Sequence, residues 1–504
     1  MRNFVFAAAC AIAAFAQAAP ARGVAEAFEG RLWKTEERVS MLKFMGANGM
    51  GAYIYAPHGD PYAKTKWREP YPAAEMAEFA IVLGVARENG IAFHWAARLG
   101  DVSESSQKED YAALTNKLEK MYAGGFRAFA LFFDGDGHRN PAVHAKLCNR
   151  VQREFLAKRE DCAPLVVCPY ASHGAGKGEG RSYRVSMGKK LDGAIRILWT
   201  GRNRRGALRQ KDVDTVAGEF RREPFVMWNW PANDYCRSRL LLGPADGMQV
   251  GNIAGFAVVP MENCEASKIG VACVAQWLRD PSGYDAQKAW EKAVSSLCPD
   301  GEVARAMGTF AKHNADPGGG TFSFNRPESA DAEELCETAR DELRGGALAR
   351  ATHAKLESLF KEVRDAAKLL LAKLPQGRFA LRREIEGWLE DERLLMEAGL
   401  KGLALLGAKG RDADRLVAEI RENRAESERN GERHRAKCAA ATNAEDAKKA
   451  VPPAASARVL APAVERILHA GLDRLYETRA GRRLQGRDGR SPSLDELLDA
   501  LKTL

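Results

Sequence analysis

Apolar and polar positions change period along this chain. From residue 23 to about 280, short apolar runs alternate with longer stretches in which apolar residues recur every three or four positions. Eight of the runs read as strands. They are "GVAEAF" (23–28), "MGAYIYAP" (50–57), "IAFHWAARLG" (91–100), "FRAFALFFD" (126–134), "APLVVCPY" (163–170), "AIRILWTG" (194–201), "PFVMWNW" (224–230) and "IAGFAVVP" (253–260). Stretches of helical period lie between most of them, among them "PAAEMAEFAIVLGVARENG" (72–90) and "YAALTNKLEKMYAGG" (111–125). A near-continuous apolar run marks a strand buried on both faces, and parallel neighbours need a helical crossover. Eight such units predict a parallel sheet closed on itself, a TIM (β/α)8 barrel. The alternative is a doubly wound open sheet. Eight repeats, with no glycine fingerprint after the first strand, favour the barrel.

After Pro281 the pattern changes. "PDG", "DPGGG" and "NRPES" punctuate residues 282–330, with one helix expected around 285–298. From 331 onward, segments such as "HAKLESLFKEVRDAAKLLLAKL" carry apolar residues at helical spacing, broken at 440–456. The predicted fold class is α/β, a TIM barrel followed by a C-terminal α-helical bundle. The expected divisions are a barrel over 20–285, a loop-rich connection over 286–330, the bundle over 331–477 and a basic tail over 478–504.

Composition adds the compartment and excludes some partners. "MRNFVFAAACAIAAFAQAAP" has the charged start, apolar centre and small-residue end of a signal peptide over residues 1–19. The mature chain is expected to begin at Ala19 or Pro20 and to be exported, periplasmic or extracellular. No later segment reads as a membrane span. The formal charge of +9 is spread over 504 residues, densest in "GRNRRGALRQK" (201–211) and "TRAGRRLQGRDGR" (478–490). Neither cluster is interleaved with aromatics, so both read as solvated faces and no nucleic-acid partner is expected. The ten cysteines show no metal-ligand spacing, and Cys148, Cys168 and Cys273 lie in apolar runs. They read as buried thiols, with a pairing of Cys162 to a distant partner left open. No feature specifies an oligomeric state.

In a barrel of this kind the site lies at the carboxyl ends of the strands. Those ends offer Glu29 and Trp33, then His58 and Asp60, then Asp134 and Asp136. Further round come Tyr170, Ser172 and His173; Trp199 and Thr200; Trp228, Asn229, Trp230, Asn233 and Asp234; and Met261 and Glu262. Acids and amides take hydroxyls, and indole faces stack on pyranose rings, so the inventory suits a sugar. Each residue also has a bland reading: an acid ending a strand caps the next helix, a tryptophan fills core, and His58 belongs to a turn. Asp134-Gly135-Asp136 lacks the further ligands of a calcium loop, and "HGAGKGEGR" (173–181) lacks phosphate-loop spacing. No metal or cofactor is expected.

Several blocks resemble glycoside hydrolase family 84, which contains the O-GlcNAcases and bacterial β-N-acetylglucosaminidases. They are "GVAEAFEGRLW" (23–33), "YIYAPHGDPYAKTKWREPYP" (53–72), "FALFFDGD" (129–136), "VVCPY", "ILWTG", "MWNWPANDY" and "PMENCEASKI". The resemblance implies a retaining hydrolase in which the sugar's own acetamido oxygen attacks the anomeric carbon. In that family one aspartate holds the acetamido N–H and an adjacent one protonates the leaving oxygen. The first resembles Asp134, while the second position is Gly135, leaving Asp136 one residue further on. Among implied sugar-binding positions, Thr200, Trp228, Asn229 and Asp234 are retained. Ala27 stands where the family has glycine, and His58 where it has lysine. Asp234 resembles the carboxylate that grips the 4- and 6-hydroxyls.

Three functional readings follow. The chain is a β-N-acetylglucosaminidase-like hydrolase with Asp136 or His58 as substitute acid, or a non-catalytic carbohydrate-binding relative, or a hydrolase of altered specificity. The expected partner is a glycan or glycoconjugate containing N-acetylglucosamine, with another 2-acetamido sugar or a uronic-acid leaving group in the third reading.

Overall fold

The computed structural model describes residues 21–100, 102–133, 139–178, 180–315, 328–374, 379–440, 450–486 and 490–504. Eight parallel strands form a closed barrel. In chain order they are β1 (Ala21–Glu26), β2 (Ala52–Tyr55), β3 (Ala92–Arg98), β4 (Ala128–Phe132), β5 (Val166–Cys168), β6 (Arg196–Trp199), β8 (Phe225–Trp228) and β10 (Gly255–Val258). Between them, β7 (Leu208–Arg209) and β9 (Met248–Gln249) make a separate two-stranded ribbon. Around the ring the order is β1-β10-β8-β6-β5-β4-β3-β2, and β1 closes it by pairing Val24 with Val258 on one side and Tyr53 on the other. All eight expected strands are present. Seven are shorter than their apolar runs because flanking apolar residues continue into buried turns, while β1 keeps the length of its run and lies two residues earlier.

Helices α1 (Thr35–Ala47), α2 (Ala73–Glu88), α3 (Gln107–Ala123), α4 (Pro141–Arg150), α5 (Arg181–Lys190), α6 (Gln210–Phe220) and α7 (Cys264–Arg279) form the crossovers. Helix α5 approaches α6 closely at Gly188, where a Cβ would lie 2.4 Å from the Glu219 carbonyl oxygen. The first crossover is locked by charge. Glu26, fully buried at the end of β1, accepts two bonds of 2.9 Å from the Arg38 guanidinium and one of 2.5 Å from the Tyr53 hydroxyl. Burial works against the Arg38 charge, but the Glu26 carboxylate outweighs it and pushes the group above its ordinary range. Burial and then Glu26 raise Tyr53 well above an ordinary phenol, so it stays a donor.

The chain divides into two compact units, residues 1–234 with 245–289, and residues 235–244 with 290–504. The second unit is helical. Its helices are α9 (Gly301–Lys312), α10 (Ala330–Arg344), α11 (Arg350–Lys373), α12 (Phe379–Leu405), α13 (Gly410–Ala440), α14 (Leu460–Ala480) and α15 (Leu494–Ala500), while α8 (Ala286–Leu297) bridges the division in sequence. Helix α12 runs centrally against α11, α13 and α14. Leu356, Phe360, Met396, Ile420, Val464 and Ile467 fill the space between. Gly399 allows the close approach, since a Cβ there would meet the Phe360 ring at 2.8 Å. The sequence reading expected one helix between 282 and 330. A second, α9, forms because Asp300 caps the Glu302 and Val303 N–H groups and Val303, Ala306, Met307 and Phe310 make a buried stripe. Six of the nine described cysteines are buried.

Candidate functional site

The site is built from loops at the carboxyl ends of adjacent strands. After β8 the chain runs through Asn229 and Trp230 to Asp234, and after β1 through Ala27 to Glu29. The two meet: the Glu29 N–H donates to Asp234 Oδ2 at 3.2 Å, joining residues 205 apart in sequence. On its other oxygen Asp234 faces the Arg205 guanidinium at 3.5 Å, with 17% of its side chain exposed. Asp234 is thus an oriented carboxylate at the rim, suited to accept hydroxyl donors. Next to it the β1 and β10 ends are latched together. The Glu262 carbonyl accepts from Trp33 Nε1 at 3.1 Å and Arg31 Nη2 at 2.7 Å, and its carboxylate accepts from the Arg31 N–H.

The β5 and β6 ends form the adjoining arc. The Thr200 N–H donates to the Ser172 carbonyl at 2.8 Å and its hydroxyl lies 3.3 Å from the same oxygen, so Thr200 is held in the buried wall. Trp199 Nε1 donates to the Gly174 carbonyl at 2.9 Å, and Trp228 Nε1 to the Gly206 carbonyl at 3.0 Å. Both indoles are fully buried. Trp228 therefore acts on the site as a wall and an anchor for the loop after β6, with Trp230 tilted against it at 6.0 Å. Asn229, half-buried, is the side chain of this arc beside Trp228 with partial solvent access.

At the β2 end, His58 is half-buried in a turn. Asp60 turns inward. It accepts from the Tyr55 and Tyr71 hydroxyls at 2.8 and 2.6 Å and from the N–H groups of Tyr62 and Ala63, which makes it the organiser of its loop. It also lines a cavity of about 200 Å³ with Trp33, Arg38, Tyr55, Tyr71 and Phe79. That cavity is separate from the cluster of Thr200, Trp228, Asn229 and Asp234, none of which lines it.

Asp134 and Asp136, the candidate catalytic acids, lie outside the described residues, as does Gly135. The strand that carries them, β4, ends at Phe132 between β3 and β5. Among the described residues no group of His, Cys, Asp or Glu is arranged to hold a metal ion. Sequence reasoning missed Arg205, whose signal was the basic run after β6. It also missed the Glu26–Arg38 pair, whose signal was an acid inside an otherwise apolar strand.

The family model described as beta-N-acetylglucosaminidase matches residues 22–312, a span that takes in β1 from its second residue and the other seven barrel strands whole. The protein O-GlcNAcases of Rattus norvegicus and Mus musculus are each 29% identical over 274 residues, covering 51% of this chain. The match spans only 30% of those relatives' own length. Among solved structures, one titled CpGH84B superposes with a TM-score of 0.72 at 27% identity, covering 88% of this chain and 76% of its own. A mutant of the Thermobaculum terrenum O-GlcNAc hydrolase shares the fold with a TM-score of 0.73 at 22% identity, covering 93% of this chain and 98% of its own.

Proposed function

The chain belongs to glycoside hydrolase family 84, the β-N-acetylglucosaminidase family, and from that premise we propose that it releases β-linked N-acetylglucosamine from a glycan or glycoconjugate by a retaining, substrate-assisted reaction. The sugar's acetamido oxygen attacks the anomeric carbon, the glycosidic C–O bond breaks, and an oxazoline forms that water then opens, giving overall retention. Asp134 accepts the acetamido N–H and so orients the attacking oxygen. Asp234 and Asn229 take ring hydroxyls, Thr200 and Trp228 wall the pocket, and His58 and Ala27 line its far side. The observation that most supports this reading is the Asp234 carboxylate, held by the Glu29 N–H at the carboxyl end of a barrel that the family match covers from residue 22 onward.

Gly135 stands where the family carries its proton donor, and glycine has no proton to give. General acid help is worth about 10²–10⁴-fold, so the leaving group's own acidity governs the rate unless Asp136 or His58 substitutes. That same glycine favours a second reading, a non-catalytic carbohydrate-binding protein that keeps Asp234 and Asn229. We also propose export, on the strength of the first 19 residues; sequencing of the mature amino terminus should begin at Ala19 or Pro20, and a secreted form that retained Met1 would overturn this.

Parallel assays of aryl and alkyl β-N-acetylglucosaminides test the catalytic reading, with an oxazoline mimic as binding control. Turnover of activated aryl substrates, lost in Asp134→Asn and extended to alkyl substrates by Gly135→Asp, supports it. Efficient alkyl turnover abolished by Asp136→Asn makes Asp136 the acid. Binding of the mimic with no turnover of any substrate leaves the carbohydrate-binding reading.

A further inference from the structure

The proposed hydrolysis draws its groups from the barrel unit, yet the helical unit holds a cavity of about 650 Å³. Four helices wall it: the end of α10 with the turn after it, the first turn of α11, the end of α12 and the later turns of α14. Leu403 lies in the bundle core, and Leu343, Leu348 and Leu406 pack against that core, so one side of the cavity is apolar. The volume falls in the range of small-molecule sites, and an apolar side facing a few convergent polar groups is their usual construction.

The polar side is unequally satisfied. His353 Nε2 donates to the Leu403 carbonyl at 3.3 Å, which leaves Nδ1 of the neutral ring as an acceptor. Arg474 Nη1 donates to the Leu406 carbonyl at 3.3 Å, and the Arg483 guanidinium pairs with Glu477. The positive end of α11 is capped by Glu342, which accepts from the Ala349 N–H and the Thr352 hydroxyl at 2.8 Å each. Asp473 differs: it is half-buried, lines the cavity and pairs with no group among the described residues. One turn on, Glu477 adds a like charge on the same helix face, and α10 and α12 bring the negative ends of their dipoles. A cleft left by splayed helix ends would carry surface charges that answer one another. This one has its cations engaged and a carboxylate left over.

We propose that this cavity binds a small organic amine with an apolar body. The ammonium pairs with Asp473 in a charge-assisted bond, His353 Nδ1 is a second acceptor, and the hydrocarbon part lies against the four leucines. A neutral alcohol of the same shape keeps the apolar contact without the charge, and an acid meets Asp473 with like charge. Every group involved lies in the helical unit, so the inference stands apart from the hydrolase reading.

Ligand-observed NMR on the full chain tests this with phenethylamine, phenethyl alcohol and phenylacetate, which share one apolar body and differ in head group. The amine should bind about five- to thirtyfold tighter than the alcohol at low salt, with phenylacetate weakest, and the advantage should shrink as salt rises. Asp473→Asn should bring amine and alcohol to about the same affinity. Asp365→Asn, which removes an equal charge from an exposed position on α11, should leave the preference intact. Ala404→Trp, at an exposed lining position, should fill the cavity and abolish binding of amine and alcohol alike. That variant decides the question if circular dichroism shows Asp473→Asn to be unfolded. An amine no tighter than the alcohol, phenylacetate as the tightest of the three, or a preference that survives Asp473→Asn in a folded protein overturns the proposal. So does affinity unmoved by Ala404→Trp, and so does failure of all three compounds to bind.

Discussion

Replacing Arg38 by methionine tests the lock at the start of the barrel. Met keeps much of the side-chain volume but deletes both guanidinium bonds, leaving Glu26 with the Tyr53 hydroxyl alone. The Glu26 side chain has no exposure and that of Arg38 has 8%, so no solvent replaces the lost partner. Breaking a buried pair from one side costs about 3–5 kcal/mol, because the remaining charge is uncompensated. At roughly 2–4 °C per kcal/mol for a unit of this size, the melting temperature should fall by about 6–20 °C. Tryptophan fluorescence reports this transition, since Trp33, Trp67, Trp95, Trp199, Trp228, Trp230 and Trp277 all belong to the barrel unit. Glu26→Leu in the same background should recover most of the stability by removing the stranded charge. A loss below about 1 kcal/mol, or a double variant no more stable than Arg38→Met, would refute the argument that an unpaired buried carboxylate sets the cost.

Three further outcomes are expected. Asp234→Ala should weaken binding of N-acetylglucosamine about 10- to 100-fold by calorimetry while circular dichroism stays unchanged, because a charge-assisted bond is lost at a rim position. His94 is buried in β3 and desolvation holds its pKa at about 4, so it stays neutral while the unfolded chain protonates near its ordinary value. Stability from this group is therefore complete above about pH 6.5 and falls as the pH drops toward 4. Urea titrations should show the unaltered protein losing about 2 kcal/mol more than His94→Gln between pH 7.5 and 5. Gly188→Ala should destabilise the barrel by about 1–3 kcal/mol or more in the same titration at pH 7, since the new methyl meets backbone of Glu219 and Phe220.

The strands were legible because each sits between two parallel neighbours and under a helix, which favours apolar residues at most positions. Boundaries were less so: "MGAYIYAP" (50–57) contains only Ala52–Tyr55 as strand, and the rest is buried turn with the same composition. Helix α9 was hidden because Gly301 and Gly308 imitate loop punctuation while Asp300 supplies the cap. The individual site residues came from family resemblance, and local pattern alone left bland readings open. For Asp60 the bland reading holds, its oxygens being occupied by two tyrosines and two backbone N–H groups. Arg205 was illegible because its meaning depends on Asp234, which reaches it only through barrel curvature. A run of arginines looks the same on a solvated face and at a mouth.

The hydrogen bond between Glu29 and Asp234 also sets a clock. Its two ends are separated by 205 residues, and β1 gains its second neighbour only when β10 exists. At about 5–20 residues per second, a ribosome takes roughly 10–40 s to make the intervening chain. Throughout that interval the first strand has one open edge and the proposed sugar site is incomplete. Affinity for the sugar is thus a reporter of ring completion: a nascent chain truncated before β10 should be blind to the ligand however much of the barrel it has already made.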